Sequence, residues 1–283
     1  MNRRKVIGLT ITVCIFSLTG IATSNTQGAG IVQDPNGASR KVRIVLVGDS
    51  TVTDKQGWGP GFKRFLTDRA ECINTARGGR SSKSFINEGL WTEALALKGD
   101  YYLIQFGHND EPGKGERSTD PNTTYREFMT RYVDETRAIG AKPILITSLV
   151  RRQWDASGSG KINSSLTPYI EAVKELAKEK NVPLIDLHSR SKQLCEQLGK
   201  EKCWEFSPVK DNNQIDNTHL NNKGSVMFGQ IIVEELIKAV PELKPYFRSE
   251  PATDANTTAE VSVVFSHKGV ISQQPLFQRL SLI

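Results

Sequence analysis

From residue 41 the chain alternates between short apolar runs and longer amphipathic stretches. Residues 42–47 (VRIVLV) are apolar at nearly every position, as expected of a strand buried on both faces. Residues 71–75 predict a second short strand, 101–106 (YYLIQF) a third, 143–147 (PILIT) a fourth and 182–187 (VPLIDL) a fifth. Helical patterns fall between them, over 61–70, 85–96, 125–139, 166–180 and 224–240. This alternation predicts an α/β domain with a parallel sheet covered by helices on both faces. Such sheets carry their sites at the carboxyl ends of the strands. The unusual residues of this chain lie there: Gly48-Asp49-Ser50 after the first predicted strand, Gly78-Gly79-Arg80 after the second, Gly107-His108-Asn109 after the third, and Ser148 to Trp154 after the fourth.

The two ends read differently. Arg3, Arg4 and Lys5 precede an apolar stretch over residues 6–18, and Gly20-Ile21-Ala22 offers small residues for cleavage, so residues 1–22 are expected to be an export signal. An uncleaved anchor is the alternative, although the run is shorter than the ~20 residues of a membrane span. A lipoprotein reading would use Cys14, but Val13 stands where a small residue is wanted. Residues 23–40, rich in Ser, Thr, Asn, Gly and Gln, are expected to be a flexible spacer, and 41–248 the folded α/β domain. Residues 249–283 are expected to be a polar linker and a tail of unassigned role, in which 260–265 have strand character. No internal repeat is found.

With 283 residues, 37% hydrophobic and 24% charged, the chain is large enough for one sizeable domain and carries no sign of bulk disorder. Cleavage after Ala22 would remove three positive and no negative charges, lowering the formal net charge from +6 to +3. A mildly basic mature protein does not point to nucleic acid. Of the four cysteines, Cys195 and Cys203 are close enough to staple one loop in an oxidising compartment, and Cys72 is expected to be a buried free thiol. Secretion, or export to the periplasm, is the expected localisation.

Ser50, on the tight turn after the first strand, is placed to be an exposed nucleophile, which would need a base beside it. It could instead cap a following helix. Asp216-Asn217-Thr218-His219 sets a carboxylate and an imidazole three residues apart before the last helix, so that Asp216 could orient His219 and His219 could take the proton of Ser50. A structural histidine and a helix-capping aspartate are the other readings. Acyl transfer also needs donors for the developing oxyanion. The backbone N–H groups of Ser50 and Gly79 and the Asn109 side chain can supply them, unless Gly79 is only a turn residue and Asn109 only an Asx-turn.

Taken together, Gly-Asp-Ser, Gly, Gly-x-Asn-Asp and Asp-x-x-His in this order resemble the block pattern of the SGNH (GDSL) hydrolases, over residues 43 to about 240. VGDSTVTD (47–54), GWGPGF (57–62), NTARGGRSSKSF (74–85), QFGHNDEPGK (105–114) and the stretch 148–187 look like the rhamnogalacturonan acetylesterases. The resemblance implies a three-layer α/β/α, flavodoxin-like domain with a five-stranded parallel sheet. It implies a triad of Ser50, Asp216 and His219, an oxyanion hole of Ser50, Gly79 and Asn109, and no metal or cofactor. The histidines at 108, 188, 219 and 267 show no ligand spacing, consistent with that.

The expected activity is removal of acetyl groups from pectic rhamnogalacturonan, by a monomer with no nucleic-acid partner. Acetylated xylan, another glycan, a lipid or a thioester are rival substrates, and a noncatalytic carbohydrate-binding protein is the rival class. Arg80, Lys83, Arg151 and Arg152 follow strand ends and could pair with uronate carboxylates; ordinary structural or solvated roles are the alternative. Trp58 and Trp154 could stack on sugars or pack in the core. His108 and Asp49 are expected to be structural supports.

Overall fold

In a computed structural model of the chain, residues 40–253 are described. The export signal, all but the last residue of the spacer, and the strand expected at 260–265 lie outside the described residues. Five strands form one parallel sheet: β1 (Val42–Gly48), β2 (Ala70–Asn74), β3 (Tyr101–Gln105), β4 (Lys142–Ile146) and β5 (Leu184–Ile185), in the order β2-β1-β3-β4-β5. The helices are α1 (Gly59–Lys63), α2 (Ser82–Asn87), α3 (Leu90–Ala96), α4 (Thr124–Ala138), α5 (Thr167–Glu179), α6 (Leu187–Leu198), α7 (Lys200–Trp204) and α8 (Asn222–Ala239).

The alternation of side chains along each strand sorts them into two cores, one on each face of the sheet. Ile44 and Leu46 of β1, Leu103 of β3, and Ile144 and Ile146 of β4 pack with Phe62 of α1, Leu194 of α6, and Phe228, Ile232 and Leu236 of α8. Val45 and Val47, Tyr102 and Ile104, and Leu145 face the other way, onto Phe85 and Trp91 of α2 and α3, Met129 and Tyr132 of α4, and Val173 and Leu176 of α5. The central strands are therefore buried on both faces, which is why they read as continuous apolar runs, and the three layers expected from the sequence are present.

Several elements differ from the sequence expectation. The helix expected at 61–70 is only Gly59–Lys63. The helix expected at 85–96 is two helices, broken at Gly89. The fifth strand shrinks to two residues because Asp186 caps α6, its side chain accepting from Ser189 N–H at 3.1 Å. The pattern reading did not find α6: its sequence is largely polar and buries only a narrow stripe that includes Leu187, Leu194 and Cys195. Cys195 at its end is bonded to Cys203 of α7, with Cα atoms 5.1 Å apart. Beyond residue 248 the chain still pairs with the domain, since Ala252 N–H donates to Arg64 O at 2.8 Å. Among the described residues no helix is long and apolar enough to cross a membrane.

Candidate active site

Strands β2, β1 and β3 are adjacent and parallel, so the segments leaving their carboxyl ends emerge side by side. These segments carry Gly79, Ser50 and Asn109. The chain runs from β1 to one neighbour and later crosses to the other, and this reversal opens a crevice where open α/β sheets place their ligands.

Ser50 sits in a turn fastened from below. Asp49 is fully buried, and one of its carboxylate oxygens accepts the Thr51 N–H at 2.9 Å and the Thr51 hydroxyl at 2.8 Å. Thr51 in turn accepts from Gln105 Nε2 at 2.6 Å, and Gln105 accepts from Trp58 Nε1 at 2.9 Å. His108 Nδ1 lies 3.4 Å from the other Asp49 oxygen. Burial pushes the Asp49 carboxyl up, but the neighbouring His108 imidazole and the Thr51 hydrogen bonds outweigh it and leave it below the usual carboxylate range. Asp49 and His108 thus lie in a buried polar network beneath Ser50. Ser50 does not cap a helix: α1 begins at Gly59, with Trp58 at its N-cap.

The loop before α8 brings the imidazole to Ser50. His219 Nε2 is 2.8 Å from Ser50 Oγ, and His219 Nδ1 is 2.9 Å from Asp216 Oδ2. The other Asp216 oxygen accepts the N–H groups of Thr218 at 2.9 Å and His219 at 3.0 Å. Burial pushes the Asp216 carboxyl up, but these N–H groups and the imidazole overcome it and hold it down at about 2. An ionised carboxylate only accepts, so Nδ1 carries the proton and Nε2 is left to accept from the Ser50 hydroxyl. Asp216 caps no helix either; α8 is capped by Asn221, whose side chain accepts from Gly224 N–H at 2.9 Å.

Facing Ser50, Gly79 has φ of +78°, a conformation that favours glycine. A Cβ on Gly78 would lie 3.7 Å from the Ser50 Cβ, so this turn borders the serine directly. Asn109 Nδ2 donates to Arg80 O at 3.1 Å, which ties the β3 segment to the β2 segment. Among the described residues, the backbone N–H groups of Ser50 and Gly79 donate to no other protein group.

Three of the side chains expected to contact substrate lie elsewhere. Trp58 is 0% exposed, packed edge-on against Phe62, so it is core and cannot stack on a sugar. Arg152 is 1% exposed; it donates to Ser207 Oγ at 2.9 Å and to the carbonyls of Asp216 and His219, so it holds the acid–imidazole loop from inside. Burial lowers its pKa to about 10, against the pull of Asp216, and it stays a cation at neutral pH. Arg151 is paired with Glu111 at 2.6 Å and also donates to His108 O and Thr218 Oγ1, both at 3.0 Å. It bridges the β3 and α8 loops rather than facing outward. Arg80 keeps an exposed guanidinium, bonded to Glu88 and to Gly78 O, each at 2.9 Å. Trp154 is half-buried against the core. Sequence reasoning missed Gln105 and Thr51; the one available signal was a glutamine within an otherwise apolar strand.

Comparison with known proteins agrees with this architecture. The model of the GDSL-like lipase/acylhydrolase family matches residues 46–225. The rhamnogalacturonan acetylesterase RhgT of Bacillus subtilis is 36% identical, over 74% of this chain and 96% of that protein. The probable rhamnogalacturonan acetylesterase YesY of the same organism is 34% identical, over 68% of this chain and 90% of that protein. The crystal structure of the B. subtilis protein YxiM superposes with a TM-score of 0.60 at 27% identity, covering 71% of this chain and 57% of that longer one. The crevice at the ends of β2, β1 and β3 is where this chain, a carboxylic-ester hydrolase, carries the sequence blocks of the family to which it belongs, the GDSL-like (SGNH) lipases and acylhydrolases.

Proposed function

We propose that the protein removes acetyl groups from a pectic polysaccharide, rhamnogalacturonan, through a covalent acetyl-enzyme. The observation that carries the mechanism is the continuous hydrogen-bonded line from Ser50 Oγ through His219 to Asp216, at 2.8 and 2.9 Å. His219 Nε2 takes the hydroxyl proton as Ser50 Oγ attacks the acetyl carbonyl. The charge that develops on the carbonyl oxygen is met by the N–H groups of Ser50 and Gly79 and by Asn109 Nδ2. His219 gives its proton to the sugar oxygen as the bond from that oxygen to the acetyl carbon breaks, so the sugar leaves as a free hydroxyl. A water then attacks the acetyl-serine, giving up a proton to His219, and acetate leaves as Ser50 Oγ is reprotonated. Asp216 stays ionised throughout and stabilises the imidazolium.

The polymer is supported by the names of RhgT and YesY and by the quoted sequence stretches. Arg80, whose exposed guanidinium is bonded to the Gly78 carbonyl next to Gly79, is the arginine we assign to a uronate carboxylate. We also propose that residues 1–22 direct export and that 41–248 form the catalytic domain of a monomer acting outside the cytoplasm.

The test is acetate release by the purified protein from acetylated rhamnogalacturonan, acetylated xylan and an aryl acetate, each with wild type, Ser50→Ala and His219→Ala. The expected result is release mainly from the pectic polymer, reduced at least ~10⁴-fold in both variants with unfolding midpoints unchanged. Release mainly from xylan would overturn the substrate, and full activity in Ser50→Ala would overturn the mechanism.

A further inference from the structure

Outside the Ser50–His219–Asp216 line, the half-buried Arg117 is bonded to the segments that carry Gly79 and Asn109. Arg117 lies in a short 3₁₀ turn, Gly115–Arg117, within the loop between β3 and α4. The turn is pinned: Lys114 N–H donates to Ser118 Oγ at 3.0 Å, and Ser118 Oγ donates to Glu111 O at 2.8 Å. Arg117 Nη1 donates to Gly79 O at 2.8 Å and approaches Asn109 Oδ1 at 3.4 Å, while Nε donates to Lys114 O at 3.3 Å. Among the described residues no carboxylate pairs with it. Nη1 thus reaches both the Gly78–Gly79 turn, which borders Ser50, and the Asn109 side chain.

We propose that Arg117 is a positioning residue for the oxyanion donors, one that sets the orientation of the Asn109 carboxamide and anchors the Gly79 turn. This rests on the reading of Ser50, Gly79 and Asn109 given above. A carboxamide can sit in two orientations related by a flip, and its neighbours choose between them. Arg117 can only donate and Arg80 O can only accept. Together they select the orientation with Oδ1 toward the guanidinium and Nδ2 toward the Gly79–Arg80 turn. One Nδ2 hydrogen goes to Arg80 O; the second is left for the substrate oxygen. A positive charge at the amide oxygen also polarises the amide and strengthens its N–H as a donor. At Gly79 the guanidinium holds the carbonyl while the N–H stays free. A Cβ on Gly79 would come within 3.4 Å of Arg117 Nη1, so the contact is close.

The test uses the full chain with an aryl acetate, active sites being titrated with an organophosphate. Arg117→Ala is expected to lower kcat per titrated site about 10- to 100-fold, with KM within about twofold and an unchanged unfolding midpoint. Added guanidinium ion should restore part of the kcat of Arg117→Ala and none of Asn109→Ala. The double variant should lose less than the product of the two single losses, since both act through one carboxamide. Wild-type kcat in Arg117→Ala overturns the proposal, as do losses that multiply independently or a loss with no guanidinium rescue. If Arg117→Ala does not fold, Arg117→Gln and Arg117→Lys take its place, with the lysine expected to retain more kcat than the glutamine. Ser50→Ala and Asn109→Ala in parallel separate the two levels: full activity in those variants sinks the reading of the site, whereas their loss beside an unimpaired Arg117→Ala sinks only this inference.

Discussion

Asp216 is the residue whose protonation most directly links the site to the stability of its loop. Its folded pKa of about 2 lies below the ordinary carboxylate value of 3.8, because His219 and Thr218 donate to the charged form and outweigh burial. A depressed carboxyl contributes stability above its unfolded pKa and loses it as pH falls through the folded one. Asp216→Asn is therefore expected to unfold at lower denaturant than wild type at pH 6, with the gap closing between pH 4 and pH 2. Denaturant midpoints measured across that range check it, and a gap independent of pH would show that Asp216 contributes no charge-dependent stability. Cys72 sits at the other extreme: burial pushes its thiol up to about 12, so it is a poor nucleophile at neutral pH.

Helices α1 and α8 cross at close range through glycines. A Cβ on Gly229 of α8 would stand 2.4 Å from the Phe62 backbone nitrogen and 2.5 Å from the Gly61 carbonyl carbon. These are backbone atoms that cannot rotate away. Gly229→Ala is expected to destabilise the domain by about 1–3 kcal/mol through overpacking, despite the better helix propensity of alanine. Urea unfolding measures this, and a variant as stable as wild type would mean that the two helices can separate without cost. The same crossing explains why α1 is short and why its sequence, GPGFK, reads poorly as a helix: packing demands small residues where propensity would ask for larger ones.

At the scale of the whole molecule, Asp110 is a buried carboxyl that ties two segments together. It is fully buried and accepts from Ser82 N–H at 3.1 Å and Thr119 Oγ1 at 3.0 Å, joining the β3 loop to the start of α2. Burial raises its pKa to about 7, although these hydrogen bonds oppose the rise. A carboxyl whose folded pKa exceeds its unfolded one keeps a proton in the native state that the unfolded chain has released. Its contribution to stability therefore falls as pH rises from about 4 to about 7 and is level above that. Asp110→Asn mimics the protonated acid, so the stability of wild type relative to this variant should decline over that window. Global unfolding of both proteins from pH 4 to pH 8 tests this; a constant difference would place the Asp110 pKa near its ordinary value.

The fold class was legible in the sequence because the central strands are buried on both faces, and no residue along 42–47 except Arg43 interrupts the apolar run. The placement of the first three blocks was equally legible, since each follows a strand end and the chain direction alone puts those ends on one edge, whereas the Asp216–His219 block follows no strand and precedes α8. What local pattern could not supply was the fate of individual side chains. Trp58, Arg151 and Arg152 are amphipathic, and nothing in their neighbours says whether a guanidinium or an indole turns toward water or toward a loop carbonyl. That choice was made by residues far along the chain: Gln105 for Trp58, Glu111 for Arg151, and the carbonyls of Asp216 and His219 for Arg152. The sequence by itself determined the three-layer arrangement of helices around one sheet and which residues could do chemistry. Only the tertiary structure decided that His219 meets Ser50 across 169 residues of chain, and that three of the side chains expected at the substrate hold the site together instead, because hydrogen-bond partners are set by the packing of distant segments and not by local order.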